Sequence, residues 1–446
     1  MVFVAVVLLL SPVKSGAWTL HYAVTKYALR DTSCVTKPRS LSVFLKQVAG
    51  ASSAIKHSWN NIFKNYYIIL QNIGPVVVPN FEPTENTNLP LTELDFAKAA
   101  LLAPRAVFPL IIKAATPKRS QSAEENIVWF DNRKDLFWGT SPKSTWAKIY
   151  YDAKQSGEPC IEVVATASDE PDWNFDFDLF HDRDDGTVVA GHPLGRLPYG
   201  RMTGESSKAP IHTWFQNEGF LSKKAAPFLA KSFLPARVFL FINLSYLARQ
   251  VGDTYWAFRF LGWAFHYLED LGQPYHAQAV PSASTWFYIK YLISNQKEKI
   301  KAETLQLMMN RHAMFEDYAL QSLEQSNLGH YDSQVDVAFK NALDHVMPNG
   351  WSGAVPLSEV TLQEWLKVIG LYSSSEAKKL DALTRDGFNA AWSQDASFNI
   401  ETDPRYNLAG LHLGVDQQDQ EELKQLTQKL LRRVAYVVLK LSASIH

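Results

Sequence analysis

Two cysteines, Cys34 and Cys160, are all that the 446 residues contain. They are too few for a thiolate metal site and leave room for one disulfide, which an exported chain would form. Charge of one sign is scarce as well, with 44 Lys and Arg against 45 Asp and Glu and a formal net charge of -1. The broad basic field of a duplex-binding protein is therefore missing, and any phosphate the chain handles must be met locally. No apolar run approaches the roughly 20 residues of a membrane-spanning helix, and no Gly-x-Ser-x-Gly elbow, internal repeat, low-complexity tract or Pro/Ser-rich linker occurs. Those absences exclude a transmembrane segment, a serine nucleophile of the elbow type and a string of separate modules.

What is present is an ordinary globular balance, 46% hydrophobic and 20% charged, with a high aromatic share of 13%. The first 17 residues, MVFVAVVLLLSPVKSGA, hold an apolar run from Val2 to Leu10 and end on Ser15-Gly16-Ala17, as a secretory signal does, although Lys14 follows the run instead of preceding it. Cleavage after Ala17 would start the mature chain at Trp18 and place it outside the cytoplasm, secreted or periplasmic.

Helical periodicity dominates. Helices are expected over Trp18–Arg30, Leu41–Leu70, Leu91–Ala114, Ala225–Val251, Tyr255–Leu271, Trp286–Gln325, Val335–Val346, Leu357–Ile369, Ser375–Ser393 and Gln417–Ser442. The segment Trp146–Thr166, with IYYDA and CIEVVATA, is the best candidate for a small strand element. Between Ser168 and Phe220 acidic pairs, Gly and Pro replace periodicity, which reads as a long functional loop. The expectation is an all-α, multi-helix single domain over residues 18–446, with insertions at about 168–220 and 277–310 and a C-terminal helical extension at about 326–446.

Chemistry concentrates in FRFLGWAFHYLEDLGQPYHAQ, residues 258–278. His266 and Asp270 stand at i and i+4, so an imidazole and a carboxylate share one helix face, and Gly272 and Pro274 end the helix so that His276 can return from the next turn. NRHAMFEDYA repeats the device with His312 and Glu316, a pair that alone would pass for an ordinary surface helix contact. The irregular segment offers Asp172, Asp176, Asp178, His181, His192 and His212, and the first helix offers His21 one turn from Trp18. A freed Trp18 amine could chelate a cation together with its own carbonyl oxygen.

In this arrangement the chain resembles the zinc-dependent bacterial phospholipases C and their relatives, the fungal single-strand-specific nucleases, which are all-helical secreted enzymes holding three zinc ions. The resemblance rests on the His-x3-Asp-x5-His helix, the following His-x3-acid pair and a mature chain beginning with Trp, and covers roughly residues 18–30 and 255–320, with weaker support at 169–215. It implies that Trp18 and His21 hold one zinc with a shared Asp270, that Asp172, His212, His266 and Asp270 hold a second, and that His276, His312 and Glu316 hold the third. The spacings keep His57 open as a substitute for His21, and Asp176, His181 or His192 as substitutes for Asp172 or His212.

Three zinc ions suit phosphate-ester hydrolysis, with Asp172 expected to orient or deprotonate the attacking water. Glu316 in the second pair and AVPSAS after the motif lean towards phospholipases, so the expected substrate is a phospholipid at a membrane surface, met by Trp286, Phe287, Tyr288 and Tyr291. A single-strand nuclease or nucleotidase, which would stack bases on the same aromatics, and a non-catalytic secreted metal-binding protein are the alternatives.

Overall fold

The computed structural model describes residues 21–73, 92–102, 106, 108, 110–114, 149–152, 156–172, 176, 209–225, 229, 231–327, 362–400 and 403–445. In chain order its helices begin with α1 (His21–Ala28), α2 (Leu41–Gly50), α3 (Ser53–Ile73), α4 (Glu93–Phe96), α5 (Cys160–Glu170), α6 (Ala209–His212), α7 (Phe220–Ala225) and α8 (Leu234–Gln250). They continue with α9 (Thr254–Gly272), α10 (Pro274–Ala277), α11 (Thr285–Ile293), α12 (Lys297–Asn327), α13 (Leu362–Gly387), α14 (Ala390–Ser393) and α15 (Gln417–Ile445). Four short strands, β1 (Val35–Thr36), β2 (Ile111–Ala114), β3 (Ile149–Asp152) and β4 (Glu158–Pro159), make two antiparallel pairs among the described residues, β1 with β4 and β2 with β3. The fold is all-α. No helix among the described residues is long and apolar enough to cross a membrane.

The centre is α9, on which every residue from Tyr255 to Gly272 is buried. A helix apolar on all sides must be surrounded, and α5, α8, α13 and α15 pack around this one. Asp253 caps its start by accepting from the Trp256 amide at 3.0 Å. Its two glycines mark the closest approaches. A Cβ on Gly262 would meet the Val164 carbonyl oxygen and lie 2.6 Å from Ala167 Cβ, and one on Gly272 would strike the Val434 side chain. Two buried arginines, Arg259 on α9 and Arg237 on α8, are paired. Arg259 lies 2.8 Å from Glu170, which also accepts from Trp263 Nε1, and Arg237 donates to the Ala100 and Leu101 carbonyls at 2.9 and 2.6 Å, closing the wide turn Ala97–Leu101. A disulfide joins Cys34 to Cys160, whose Cα atoms are 5.4 Å apart, and so ties the connection after α1 to the first residue of α5.

Several elements differ from their expected form. Leu41–Leu70 is two helices broken at Ala51 and Ser52, and Trp286–Gln325 is broken between Ile293 and Lys297, where Ser294 leaves the helix in extended conformation. Leu91–Ala114 is helical only to Leu101; Leu102 takes a left-handed φ of 58° that stops it, and Ile111–Ala114 pairs as a strand. CIEVVATA is helix, not strand, because Cys160, Val163, Val164, Ala165, Thr166 and Ala167 are all buried against more than one neighbour. Leu357–Ile369 and Ser375–Ser393 merge into α13 and α14, with 357–361 outside the described residues, as is Val335–Val346. The segment expected from Ala225 becomes helical at Leu234. The segment expected as a loop from Ser168 is helical at its start, where Ser168, Asp169 and Glu170 complete α5, and again at Ala209–His212; of 173–208 only Asp176 is among the described residues.

Candidate metal centre

Six segments deliver side chains to one buried region. Helix α9 presents His266 and Asp270. At its end Gln273 leaves the helical conformation and its side chain accepts from the Tyr275 amide, and with Pro274 in the first turn this starts α10 and brings His276 back. His21 opens α1, Asp172 follows the last turn of α5, His212 ends α6, and α12 supplies His312 and Glu316.

Asp270 is the hub. Its Oδ2 lies 2.5 Å from His212 Nδ1 and 3.4 Å from His266 Nε2, and its Oδ1 lies 3.6 Å from His21 Nε2. Around it three groups of potential ligand atoms lie within 4.8 Å of one another: His21, Asp172 and His266; Asp176, His212 and His266; and His276, His312 and Glu316. In the last group the two Nε2 atoms are 3.1 Å apart and stand 3.5 and 2.7 Å from Glu316 Oε1.

Outer contacts decide which ring nitrogen faces inward. His266 Nδ1 lies 2.8 Å from the Ser168 carbonyl and His276 Nδ1 lies 2.6 Å from the His212 carbonyl. A carbonyl only accepts, so each Nδ1 bears a hydrogen and Nε2 is the nitrogen turned towards the cluster. His21 Nδ1 lies 2.7 Å from Glu269, whose other oxygen accepts from the Thr25 hydroxyl at 2.6 Å. This is the outer-shell pattern that orients metal-binding histidines.

The electrostatics divide the cluster. Burial, aided by neighbouring His266, pushes His21 down to about 3, and burial takes His312 to about 3, so both are lone-pair donors at neutral pH. Burial pushes Glu316 up to about 8. For Asp270 burial opposes ionisation, but His266, His212 and His276 hold it below the usual carboxylate range. For His212 burial is outweighed by Asp270 and Asp176, which raise it to about 10. His21 Nε2, His212 Nε2, Asp270 Oδ1 and Glu316 Oε2 are buried with no hydrogen-bond partner among the described residues. Leaving such atoms unsatisfied costs about 1–3 kcal/mol each. A cation bound at these atoms removes that cost, with His212 and Glu316 each giving up a proton on binding, so the residues fit a metal.

Comparison with protein-family models, curated proteins and solved structures finds no match for the chain.

Of the residues singled out in the sequence, His21, Asp172, His212, His266, Asp270, His276, His312 and Glu316 are brought together, while Trp18 lies outside the described residues. The grouping differs in one respect: Asp172 stands with His21 and His266, 3.9 and 3.8 Å away, and the carboxylate beside His212 is Asp176 at 3.2 Å. Asp176 is also held by Arg237 at 3.1 Å and the Tyr267 hydroxyl at 2.6 Å. His57 is exposed on α3, away from the cluster, and Asp178, His181 and His192 lie outside the described residues. Glu269 was not singled out, although its place beside Asp270 was the available signal.

Proposed function

We propose that the chain is a zinc-dependent phosphoric diester hydrolase of the phospholipase C type, related to the zinc phospholipases C and single-strand nucleases. It would cleave glycerophospholipids such as phosphatidylcholine to diacylglycerol and a phosphorylated head group. The observation that carries the reading is the convergence of five histidines, from five segments, on Asp270 and Glu316, with the inward nitrogens of His21, His266 and His276 set by outer contacts. Nitrogen and oxygen donors without thiolate suit zinc in an open, catalytic arrangement. Three ions are proposed, with Trp18 completing the His21 site after cleavage at Ala17.

Bound there, zinc supplies an acidified water and positive charge for the phosphoryl oxygens. The chain's own part is to hold groups in place. Asp172, its side chain 10% exposed between His21 and His266, is the carboxylate placed to orient the attacking water and accept its proton. Glu269, Ser168 and the His212 carbonyl fix the rings, and the buried Tyr267 ring, 5.6 Å from that of His212 and 5.0 Å from that of His266, keeps bulk water from them. Attack on phosphorus then breaks the bond to the glycerol oxygen, which leaves with a proton as diacylglycerol.

A lipid substrate is favoured by α11, where no residue is buried; Trp286 is 68% and Ile293 77% exposed, and α7, which packs on α11, exposes Phe220 by 77%. Apolar and aromatic side chains beside Lys223, Lys224 and Lys290 have the composition of a membrane-interface surface. Export is supported by the Cys34–Cys160 disulfide, which persists in oxidising compartments.

The test is phosphocholine release from phosphatidylcholine mixed micelles by zinc-loaded protein, with a chelator arm. Release abolished by chelator and restored by zinc is expected. Hydrolysis of single-stranded DNA with intact micelles would overturn the lipid assignment, and no hydrolysis of either would overturn the enzyme.

A further inference from the structure

The carboxylate of Asp381, far along the chain from every ligand, is fully buried at a junction of three helices. Arg311 on α12 donates to both its oxygens at 3.1 Å, and the Tyr275 hydroxyl on α10 lies 3.0 Å from Oδ1. Ser282 donates to Oδ2, and Thr384, one turn on, lies 2.6 Å from the same Tyr275 hydroxyl. Arg311 is further pinned by donating from Nε to the Ser393 carbonyl at 2.8 Å.

Two of the partners directly precede a residue of the third group: Arg311 stands before His312, and Tyr275 before His276. Tyr275 also stacks on the His312 ring, with centroids 5.2 Å apart and planes inclined at 27°. Besides this stacking, α10 and α12 are bridged by hydrogen bonds to one carboxylate from α13. We propose that Asp381 is a positioning residue that sets the His276–His312 spacing, so that the C-terminal helices determine metal affinity at the His276, His312 and Glu316 group. The inference rests on that group being a metal site.

A buried Arg–carboxylate pair adding a tyrosine hydroxyl is a costly arrangement for mere packing. Arg311 Nη1 shared between both carboxylate oxygens, with Nε fixed on the Ser393 carbonyl, restricts orientation as a hydrophobic contact would not. Outer partners of metal ligands typically govern about 10–100-fold in affinity, and Asp381 acts on two ligands at once.

The test is zinc titration of the full chain, with anomalous diffraction to locate the bound ions. Asp381→Asn is expected to weaken zinc binding at the His276, His312 and Glu316 group by about 10–100-fold, with occupancy near His21 and His266 retained. Tyr275→Phe, which keeps the ring and removes only the hydroxyl, covers the case in which Asp381→Asn does not fold, and is expected to weaken the same group alone. Leu380→Ala, next to Asp381 on α13 but outside the polar junction, is expected to lower thermal stability and leave zinc affinity unchanged. Unchanged affinity in Tyr275→Phe and in any folded Asp381→Asn would overturn the inference and leave the metal centre standing. Equal loss in Leu380→Ala would also overturn it, reducing Asp381 to a structural part. Wild-type protein that takes up no zinc would overturn both.

Discussion

Asp270 has leverage because three histidine nitrogens, on His21, His212 and His266, lie within 3.6 Å of its oxygens and one of those oxygens has no hydrogen bond of its own among the described residues. Asp270→Asn keeps the shape and removes the charge. If Asp270 bridges two sites, metal analysis after dialysis should show two of the three proposed zinc equivalents gone, and hydrolysis should fall by at least about 100-fold; unchanged metal content would remove the bridge. His412 tests a different balance. Burial lowers its pKa below 6.5 although Nδ1 meets the Gly387 carbonyl at 2.8 Å. The folded state therefore prefers the neutral ring, and that preference is fully present above the unfolded value of 6.5 and lost as pH falls through the lowered folded value. Urea midpoints of wild type and His412→Asn, both in chelator, should differ most near pH 7.5 and converge towards pH 5.

Helix α9 shows how much an element can carry. In Gly262→Ala, helix propensity alone would gain about 1 kcal/mol. Against it stands a methyl group driven into the Val164 carbonyl and within 3.1 Å of the Ser168 amide, both backbone atoms of α5 that no rotamer change can move aside. Overpacking of this kind costs about 1–3 kcal/mol, and because no rotamer change relieves it the upper part of that range applies, so the net change is expected to be destabilising by up to about 2 kcal/mol in chemical denaturation. Because the Ser168 carbonyl holds His266, zinc affinity should fall with it. The His266-Asp270-His276 constellation was legible in the sequence because its causes are local: one helical face, then Gln273 and Pro274 to end it. CIEVVATA was misread because a helix buried on several faces loses its period and its β-branched residues then imitate a strand. Ile111–Ala114 is a strand only because Ile149–Asp152 lies beside it, which no window around it contains. Asp381 carried no signal at all, since its partners Tyr275 and Arg311 are 106 and 70 residues away.

Across the whole molecule two kinds of crosslink would act on the same parts. The Cys34–Cys160 disulfide spans a sequence separation of 126 and fastens the segment after α1 to the start of α5. On the chain-entropy account a loop of that size is worth about 5 kcal/mol as an upper value, and Cys34→Ala with Cys160→Ala should lower the melting temperature accordingly. The metal centre joins α1 to α5 a second time, through His21 and Asp172, and adds α6, α9, α10 and α12. A ligand bound only by the folded state at about 1,000 times its Kd contributes roughly 4 kcal/mol per site, so chelation should shift the entire unfolding transition downwards instead of melting one segment. Because the His21–Asp172 link and the disulfide restrain the same pair of helices, their removal is coupled: the loss on chelation should differ between the disulfide-free variant and wild type by more than the roughly 0.5 kcal/mol within which independent sites add. Calorimetric scans of both proteins, with zinc and with chelator, measure that coupling. Strict additivity would mean that the cation is not held between α1 and α5, and a chelator without effect on either protein would mean that the buried histidines bind no metal.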